Sequence, residues 1–277
     1  MERLLSSLTV DLIMTPREKL ETCEEHERIE CLVGRLEKFD LLPVSSSDIR
    51  HFVSKSRVEP YLRRKSSILV SKVMQPISQN RPIPEDEQIS DYLLQRKSPV
   101  FITKKTKNTK VVGIVTPADL NKTPAKMLFY VLISSFEKLL IESIKNLNLT
   151  DEEIEECIRF SKWCEAKGRH KQAKREGFER SPINCLNTKE LIDIACKYQS
   201  IRERLKYQNE PAAHKSLNPL AKLRNNIMHA GNQIIWSEKQ LILRGKQYKI
   251  LRKHITDLSL EISTVDVRAL NSARVHV

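Results

Sequence analysis

Two constellations in this chain have the residue types for chemistry on phosphorylated ligands. The first lies in Asn218-Pro219-Leu220-Ala221-Lys222-Leu223-Arg224-Asn225-Asn226-Ile227-Met228-His229-Ala230-Gly231. A guanidinium presents a rigid fork of donors that matches a phosphate, and an imidazole takes and gives a proton near neutral pH. Arg224 could therefore hold a carboxylate or a phosphate while His229 gives or takes a proton, with Asn225 on the same side of the helix as His229. Of the seven histidines, only His229 has an arginine five positions earlier. The second constellation is Thr116 and Asp119 in Gly113-Ile114-Val115-Thr116-Pro117-Ala118-Asp119-Leu120. A carboxylate in the first turn after a strand can accept two ribose hydroxyls while neighbouring amides favour a phosphate. The same residues equally read as a helix start, with Thr116 capping, Pro117 first and Asp119 in the favoured acidic position.

The elements that must hold the first constellation are helical. Asn218 as cap, Pro219 at the start and Gly231 past the end predict a helix of about three turns. Leu220, Leu223, Ile227 and Met228 share one arc of it, and Arg224 projects from within that arc, where a guanidinium requires a carboxylate or a phosphate as partner. Asn225 and His229, four apart, flank the arc on a common side, with His229 in the last turn where the dipole favours positive charge. Arg224 and His229 stand about 140° apart on an ideal helix, so they converge on one phosphate more easily across a two-fold axis between copies than within one. Further helices are predicted over residues 126–146, 150–164, 188–207 and 247–263, and a small hairpin over 233–236 and 240–243. Residues 162–180, with seven Lys and Arg against three Asp and Glu, read as an exposed connection that either touches RNA or is merely solvated.

The second constellation belongs to a repeat. Val10-Asp11-Leu12-Ile13-Met14-Thr15-Pro16 and Val73-Met74-Gln75-Pro76-Ile77 open two copies. Each is followed by a helical segment (24–39; 85–96), a short apolar strand (41–44; 99–102) and a closing strand (51–54; 111–116). Two copies of about 60 residues predict a pseudo-symmetric α/β domain over 1–123, with copies near 8–66 and 67–123, followed by an all-α domain over 124–277.

Composition agrees with two domains in 277 residues, 40% hydrophobic and 30% charged. No apolar run approaches a membrane span; the longest covers residues 127–133. The first residues lack a basic start, an apolar middle and a small-residue cleavage site, so the expected location is the cytoplasm, with no membrane partner. Six scattered cysteines without a CxxC pair predict reduced, mostly buried thiols rather than zinc knuckles; a zinc set of Cys157, Cys164 and His170 is the alternative weighed. The net charge is +13; residues 1–120 hold 20 basic against 17 acidic side chains and the remainder 28 against 18. The basic surface thus lies on the second half, which will attract polyanions such as RNA.

On these residues the first half resembles a pair of cystathionine-β-synthase (CBS) domains, a family that binds adenosine-containing ligands between its two copies. The resemblance implies a regulatory adenine nucleotide (AMP, ADP, ATP or an S-adenosylmethionine-like ligand) contacted by Thr116, Asp119, Ile114, Pro117, Val100, Ser54 and Arg57. The first copy departs from the family pattern by placing Arg57 where an acidic residue would sit, leaving it either a phosphate contact or solvated surface. Arginine, a polar residue, three more residues and histidine resemble the motif of the HEPN superfamily, helical domains many of which are metal-independent ribonucleases acting as dimers. That resemblance implies Arg224, Asn225 and His229 as catalytic residues, RNA as substrate, 2′,3′-cyclic phosphate products and no catalytic cofactor. The competing reading is a non-catalytic nucleotide sensor whose helical half dimerises or docks on nucleic acid or protein, with Arg224 and His229 in a packing role.

Overall fold

The computed structural model describes residues 2–46, 48–64, 67–95, 99–104, 110–229, 231–235 and 237–274, with Gln95, Glu238 and residues 260–274 as backbone only. In chain order these form α1 (Glu2–Ser6), β1 (Thr15–Pro16), α2 (Val33–Lys38), β2 (Leu41–Pro43), β3 (His51–Ser54), α3 (Lys55–Arg63), β4 (Gln75–Pro76), β5 (Ile83–Pro84), α4 (Ile89–Gln95), β6 (Val100–Lys104) and β7 (Lys110–Val115). There follow α5 (Thr123–Lys145), α6 (Asp151–Glu155), α7 (Phe160–Arg175), α8 (Thr188–Lys197), α9 (Gln199–Arg204), α10 (Glu210–Met228) and α11 (Glu238–Arg274). The chain divides into two compact units, Met1–Leu128 with Ile235–Gly245, and Phe129–Ile234 with Lys246–Val277.

The first unit holds two sheets, one in the order β1-β7-β6-β5 and one in the order β2-β3-β4. Each copy of the repeat lends its opening strand to the other: β1 pairs antiparallel with β7, and β4 with β3. Proline explains which strands lie outermost. Pro16, Pro43, Pro76 and Pro84 fall on β1, β2, β4 and β5, the four edges, because a residue without an N–H cannot serve an inner ladder. Gly113 on β7 faces Pro16, and a Cβ there would lie 2.6 Å from the Thr15 carbonyl and 2.8 Å from Met14 Sδ. The crossing strand can approach only a residue without a side chain.

One core is built mostly from the first copy, where Ile29, Leu32, Leu36, Leu42, Val53 and Val58 are buried, and Val70 and Val73 from the start of the second copy complete it. A second core draws on both copies, with Leu41, Ile49 and Phe52 from one and Ile77, Phe101, Val111 and Ile114 from the other; the Phe52 and Phe101 ring centroids are 5.5 Å apart. Strand β6 is buried at four successive positions rather than alternately, as a strand covered on both faces must be. The helix expected over 24–39 is shorter: a 3-10 turn at Ile29–Leu32 passes into α2, and residues 24–28 stay outside it.

The second unit is helical, and there and in the returning residues Ile235–Gly245 of the first unit the element boundaries depart from the sequence expectation. The single helix expected over 150–164 is α6 and α7, broken between Glu155 and Phe160. That over 188–207 is α8 and α9, broken at Tyr198, and the supposed connection 162–180 is largely α7. Residues 240–243 lie in α11, not in a hairpin, and the helix expected over 247–263 is one stretch of α11; the other hairpin arm includes Trp236, outside the described residues. Finally, α10 begins at Glu210, where Asn209 Oδ1 accepts from Ala212 N at 2.9 Å, so Asn218 does not cap and Pro219 lies inside the helix. An interior proline costs about 3 kcal/mol, yet Leu217, Leu220 and Leu223 are each fully buried, and burying each such side chain contributes about 1.5–3 kcal/mol. Burial wins, and the helix continues through the proline.

Thiol burial also departs from expectation: Cys23 and Cys196 are buried, Cys157 and Cys185 are partly buried, and Cys31 and Cys164 are exposed. Among the described residues no group of three His, Cys, Asp or Glu side chains gathers as a metal site, so Cys157, Cys164 and His170 do not form the zinc set. No helix among them is long and apolar enough to cross a membrane.

Candidate functional site

In the second unit, α5 and α10 line a recess of about 70 Å³ with Tyr130, Ile133, Ser134 and Glu137 from one helix and Arg224, Ile227 and Met228 from the other. Both sets follow three-and-four spacing, so each comes from a single helical face. Of the two partners that its place in an apolar arc called for, a carboxylate or a phosphate, Arg224 faces a carboxylate: its Nε stands 3.7 Å from Glu137 Oε1, with the two side chains 34% and 22% exposed. Thr188 Oγ1 donates to the same carboxylate oxygen and fixes it from α8. Beyond Glu137, no other side chain among the described residues pairs with Arg224. Tyr130 and Met228 form a half-exposed apolar rim.

His229 is the residue at which the chain leaves α10. Its N–H donates to Asn225 O at 3.3 Å, but its ψ of 110° is extended, and its carbonyl accepts from Asn232 N at 2.9 Å. The ideal-helix angle between Arg224 and His229 therefore no longer applies, because His229 sits past the last helical residue. Both His229 and Asn225 are exposed. Gly231 does not end the helix through a left-handed turn; among the described glycines only Gly177 has a positive φ, 82°.

In the first unit, Asp119 is buried at 6% exposure, and its carboxylate is fully engaged. Oδ2 accepts from Thr116 N at 2.7 Å and Thr116 Oγ1 at 2.8 Å; Oδ1 accepts from Thr15 Oγ1 at 3.3 Å and pairs with Lys122 Nζ at 2.7 Å. A carboxylate offers about four acceptor directions, and all are taken. Lys122 Nζ also donates to Ile13 O at 2.5 Å and Met14 O at 3.2 Å, so three donors meet three acceptors. Together Asp119 and Lys122 clasp the lent strand β1 to the end of the second copy. The helix expected after Pro117 is a 3-10 turn, Pro117–Asn121. Nearby, the buried Tyr92 hydroxyl has no hydrogen-bond partner among the described residues; burial, and next the Asp119 charge, push its pKa up.

The remaining residues expected at a ligand lie on several elements. Val100 and Ile114 are buried within the sheet of β7 and β6. Ser54 Oγ donates to Gln75 Oε1 at 3.2 Å, Pro117 is partly buried, and Arg57 is exposed on α3. Glu137, Thr15 and Lys122 were missed by sequence reasoning. For Lys122 the three-residue spacing from Asp119 was a usable signal; Glu137 and Thr15 act across elements and left none.

No protein-family model matches the chain, and no curated protein matches it. Solved structures similar to part of it include the CBS-pair protein CBSX2 from Arabidopsis thaliana, 19% identical, covering 40% of this chain and 90% of that one, with a TM-score of 0.33. Another is the CBS domain of the bacterial CNNM/CorC family Mg2+ transporter in complex with ATP, 22% identical over 43% of this chain and 87% of that one, TM-score 0.34. A third is a CBS domain-containing protein from Bacillus anthracis str. Ames Ancestor, 15% identical over 43% of this chain and 94% of that one, TM-score 0.37.

Proposed function

We propose that the protein is a nucleotide-regulated, metal-independent endoribonuclease of the HEPN type, acting as a homodimer. The observation that carries this reading is that Arg224 opens to solvent in a recess between α5 and α10, with Asn225 and His229 exposed at the end of the same helix. In the proposed reaction the RNA 2′-oxygen loses its proton and attacks the adjacent phosphorus, and the 5′-oxygen leaves with a proton, giving a 2′,3′-cyclic phosphate and a 5′-hydroxyl. His229 exchanges one of these protons, Arg224 stabilises the charge on the five-coordinate phosphorus, and Asn225 orients the group. An exposed imidazole beyond the helix end is free to meet a phosphate held by the other copy's Arg224. The first unit supplies regulation: its paired repeats bind an adenine nucleotide at the Thr116–Asp119 end, and differential affinity of that ligand for two states of the dimer sets activity.

A second reading rests on a specific contact. The Arg224–Glu137 pair satisfies the guanidinium inside the protein, as a helix-packing role in a non-catalytic nucleotide sensor would. Incubating the protein with single-stranded RNA in excess chelator separates the two. Cleavage reduced by 10²- to 10⁴-fold in His229→Ala, and comparably in Arg224→Ala, is the expected result; no cleavage by the unaltered chain, or cleavage indifferent to both changes, leaves the sensor reading. Calorimetry with AMP, ADP, ATP and S-adenosylmethionine tests the first unit, with binding expected to be lost in Asp119→Ala.

A further inference from the structure

We propose that the C-terminal half of α7 and the turn that ends it form a binding strip for single-stranded RNA, separate from Arg224 and His229. The inference rests on the ribonuclease reading for its choice of RNA. Along α7, Trp163 and Ala166 are buried and anchor the inner face. The basic residues as far as Arg169 are paired: Lys162 with Glu165 at 2.9 Å, Lys167 with Asp151 at 2.9 Å, and Arg169 with Glu165 at 3.8 Å while also donating to Cys185 O. The lysines and arginine beyond it are not. Lys171, Lys174 and Arg175 are exposed, fall within one arc at three-and-four spacing, and pair with no carboxylate among the described residues.

The helix end then places an aromatic ring beside this charge. Gly177 N donates to Lys174 O at 3.2 Å and Phe178 N to Ala173 O at 2.9 Å, the paired closure made possible by the positive φ of Gly177. In such a closure the residue after the glycine normally packs on the last helical turn. Here that turn offers Gln172 and Ala173, too little apolar surface to cover a phenyl ring, and Phe178 remains 54% exposed. The Arg180 guanidinium stands 5.6 Å from its ring centroid. Unneutralised cations for phosphates next to a held, half-open ring for a base are the parts of a single-strand site. A duplex offers no unstacked base to the ring. A lipid surface would need an apolar stripe, and α7 turns its buried residues inward.

The test uses the full chain and a fluorescein-labelled 2′-O-methyl RNA 12-mer of mixed sequence, which cannot be cleaved through its 2′ position, so binding is read apart from catalysis. Replacing Lys171, Lys174 and Arg175 together by Gln is expected to flatten the slope of log K against log salt by about 2, at roughly 0.7 per cation. Phe178→Leu is expected to weaken binding about 5- to 100-fold with the slope unchanged. The same strand in a duplex should be insensitive to Phe178→Leu. Circular dichroism of both variants matching the unaltered chain assigns the losses to contacts rather than to unfolding. An unchanged salt slope in the triple variant, equal loss on duplex and single strand in Phe178→Leu, or strip-dependent binding to phosphatidylserine vesicles but not to RNA would each overturn the proposal. Strip-dependent binding by a chain that cleaves nothing would uphold the strip and remove the nuclease, whereas cleavage with strip-independent binding would do the reverse.

Discussion

Acidification should charge a side chain that the second unit has enclosed as a neutral group. His254 on α11 is 2% exposed, its ring packed against Phe136 and Tyr207 at centroid distances of 6.1 and 5.4 Å. The Tyr207 hydroxyl donates to Ser216 Oγ at 2.5 Å, so the 2.8 Å contact with His254 Nε2 is best made by a proton on that nitrogen. Nδ1 is then a bare acceptor with no partner among the described residues. Burial, and next the charge of Lys253, push the pKa of His254 down from 6.5 to about 4. Because the folded value is the depressed one, the unfolded chain binds the proton first. Stability is therefore complete above about pH 6.5 and falls as the pH drops toward 4. The gap between 6.5 and about 4, at about 1.36 kcal/mol per pH unit, is worth about 3 kcal/mol. The assay is urea unfolding followed by Trp163 emission in a Trp236→Phe background, between pH 7.5 and 4, for His254 and for His254→Phe. Phenylalanine keeps the ring packing and cannot titrate, so its curve should lose about 3 kcal/mol less over that range. Parallel pH curves for the two proteins would refute the enclosed neutral imidazole.

Two further outcomes follow from the described contacts. Gly113→Ala forces a methyl to within 2.6 Å of the Thr15 carbonyl and should destabilise the first unit by roughly 1–3 kcal/mol, as overpacking does; denaturant unfolding measures it, and an unchanged midpoint would mean that β1 does not lie where it is placed. Glu137→Gln removes the charge that faces Arg224 at 3.7 Å, and since partly exposed pairs contribute about 0.2–1 kcal/mol, affinity for uncleavable RNA should rise about 1.5- to 5-fold. A fall in affinity would show that Glu137 supports the RNA contact rather than competing with it.

Strands β2, β3, β6 and β7 were legible because short apolar runs recur at matching places in both copies, whereas the two-residue β5 is too short to leave such a run. The long stripe of α5 was legible because Leu128, Leu132, Phe136 and Leu140 keep one helical face. What failed did so where tertiary burial decides. Asn209 with Pro211 and Asn218 with Pro219 present the same cap-and-proline signal; only the packing of α10 on α8, which buries Ala213 and Leu217, selects the earlier one. Helix α7 hid because just Trp163 and Ala166 face inward, so its signal was the intrinsic propensity of Lys, Arg, Gln and Ala rather than an apolar period. In α11, Gln240 to Leu243 mimics alternation, while the buried residues Leu241, Arg244 and Gly245 keep helical spacing. The motif positions Arg224 and Asp119 were visible as residue types, but their internal partners, Glu137 and Thr15, come from distant segments and could not be read from spacing.

Those partners make the two candidate sites unequal. Releasing Arg224 from Glu137 opens one part-exposed pair, which costs little. Releasing Asp119 means breaking a buried pair and hydrogen bonds that also hold β1 against β7, and leaving either Asp119 or Lys122 uncompensated is strongly unfavourable. A ribose that takes this carboxylate must therefore displace Thr15 or Lys122 and loosen the lent strand. Hydrogen exchange gives the measurement: saturating AMP or ATP should change protection at Thr15 and at Gly113 and Ile114, the residues paired across β1 and β7. If a nucleotide binds with measurable heat while those amides exchange as before, Asp119 is a structural clasp and the ribose lies elsewhere. If exchange there changes, ligand binding and strand release are the same event, which gives the first unit two states that a nucleotide can tell apart.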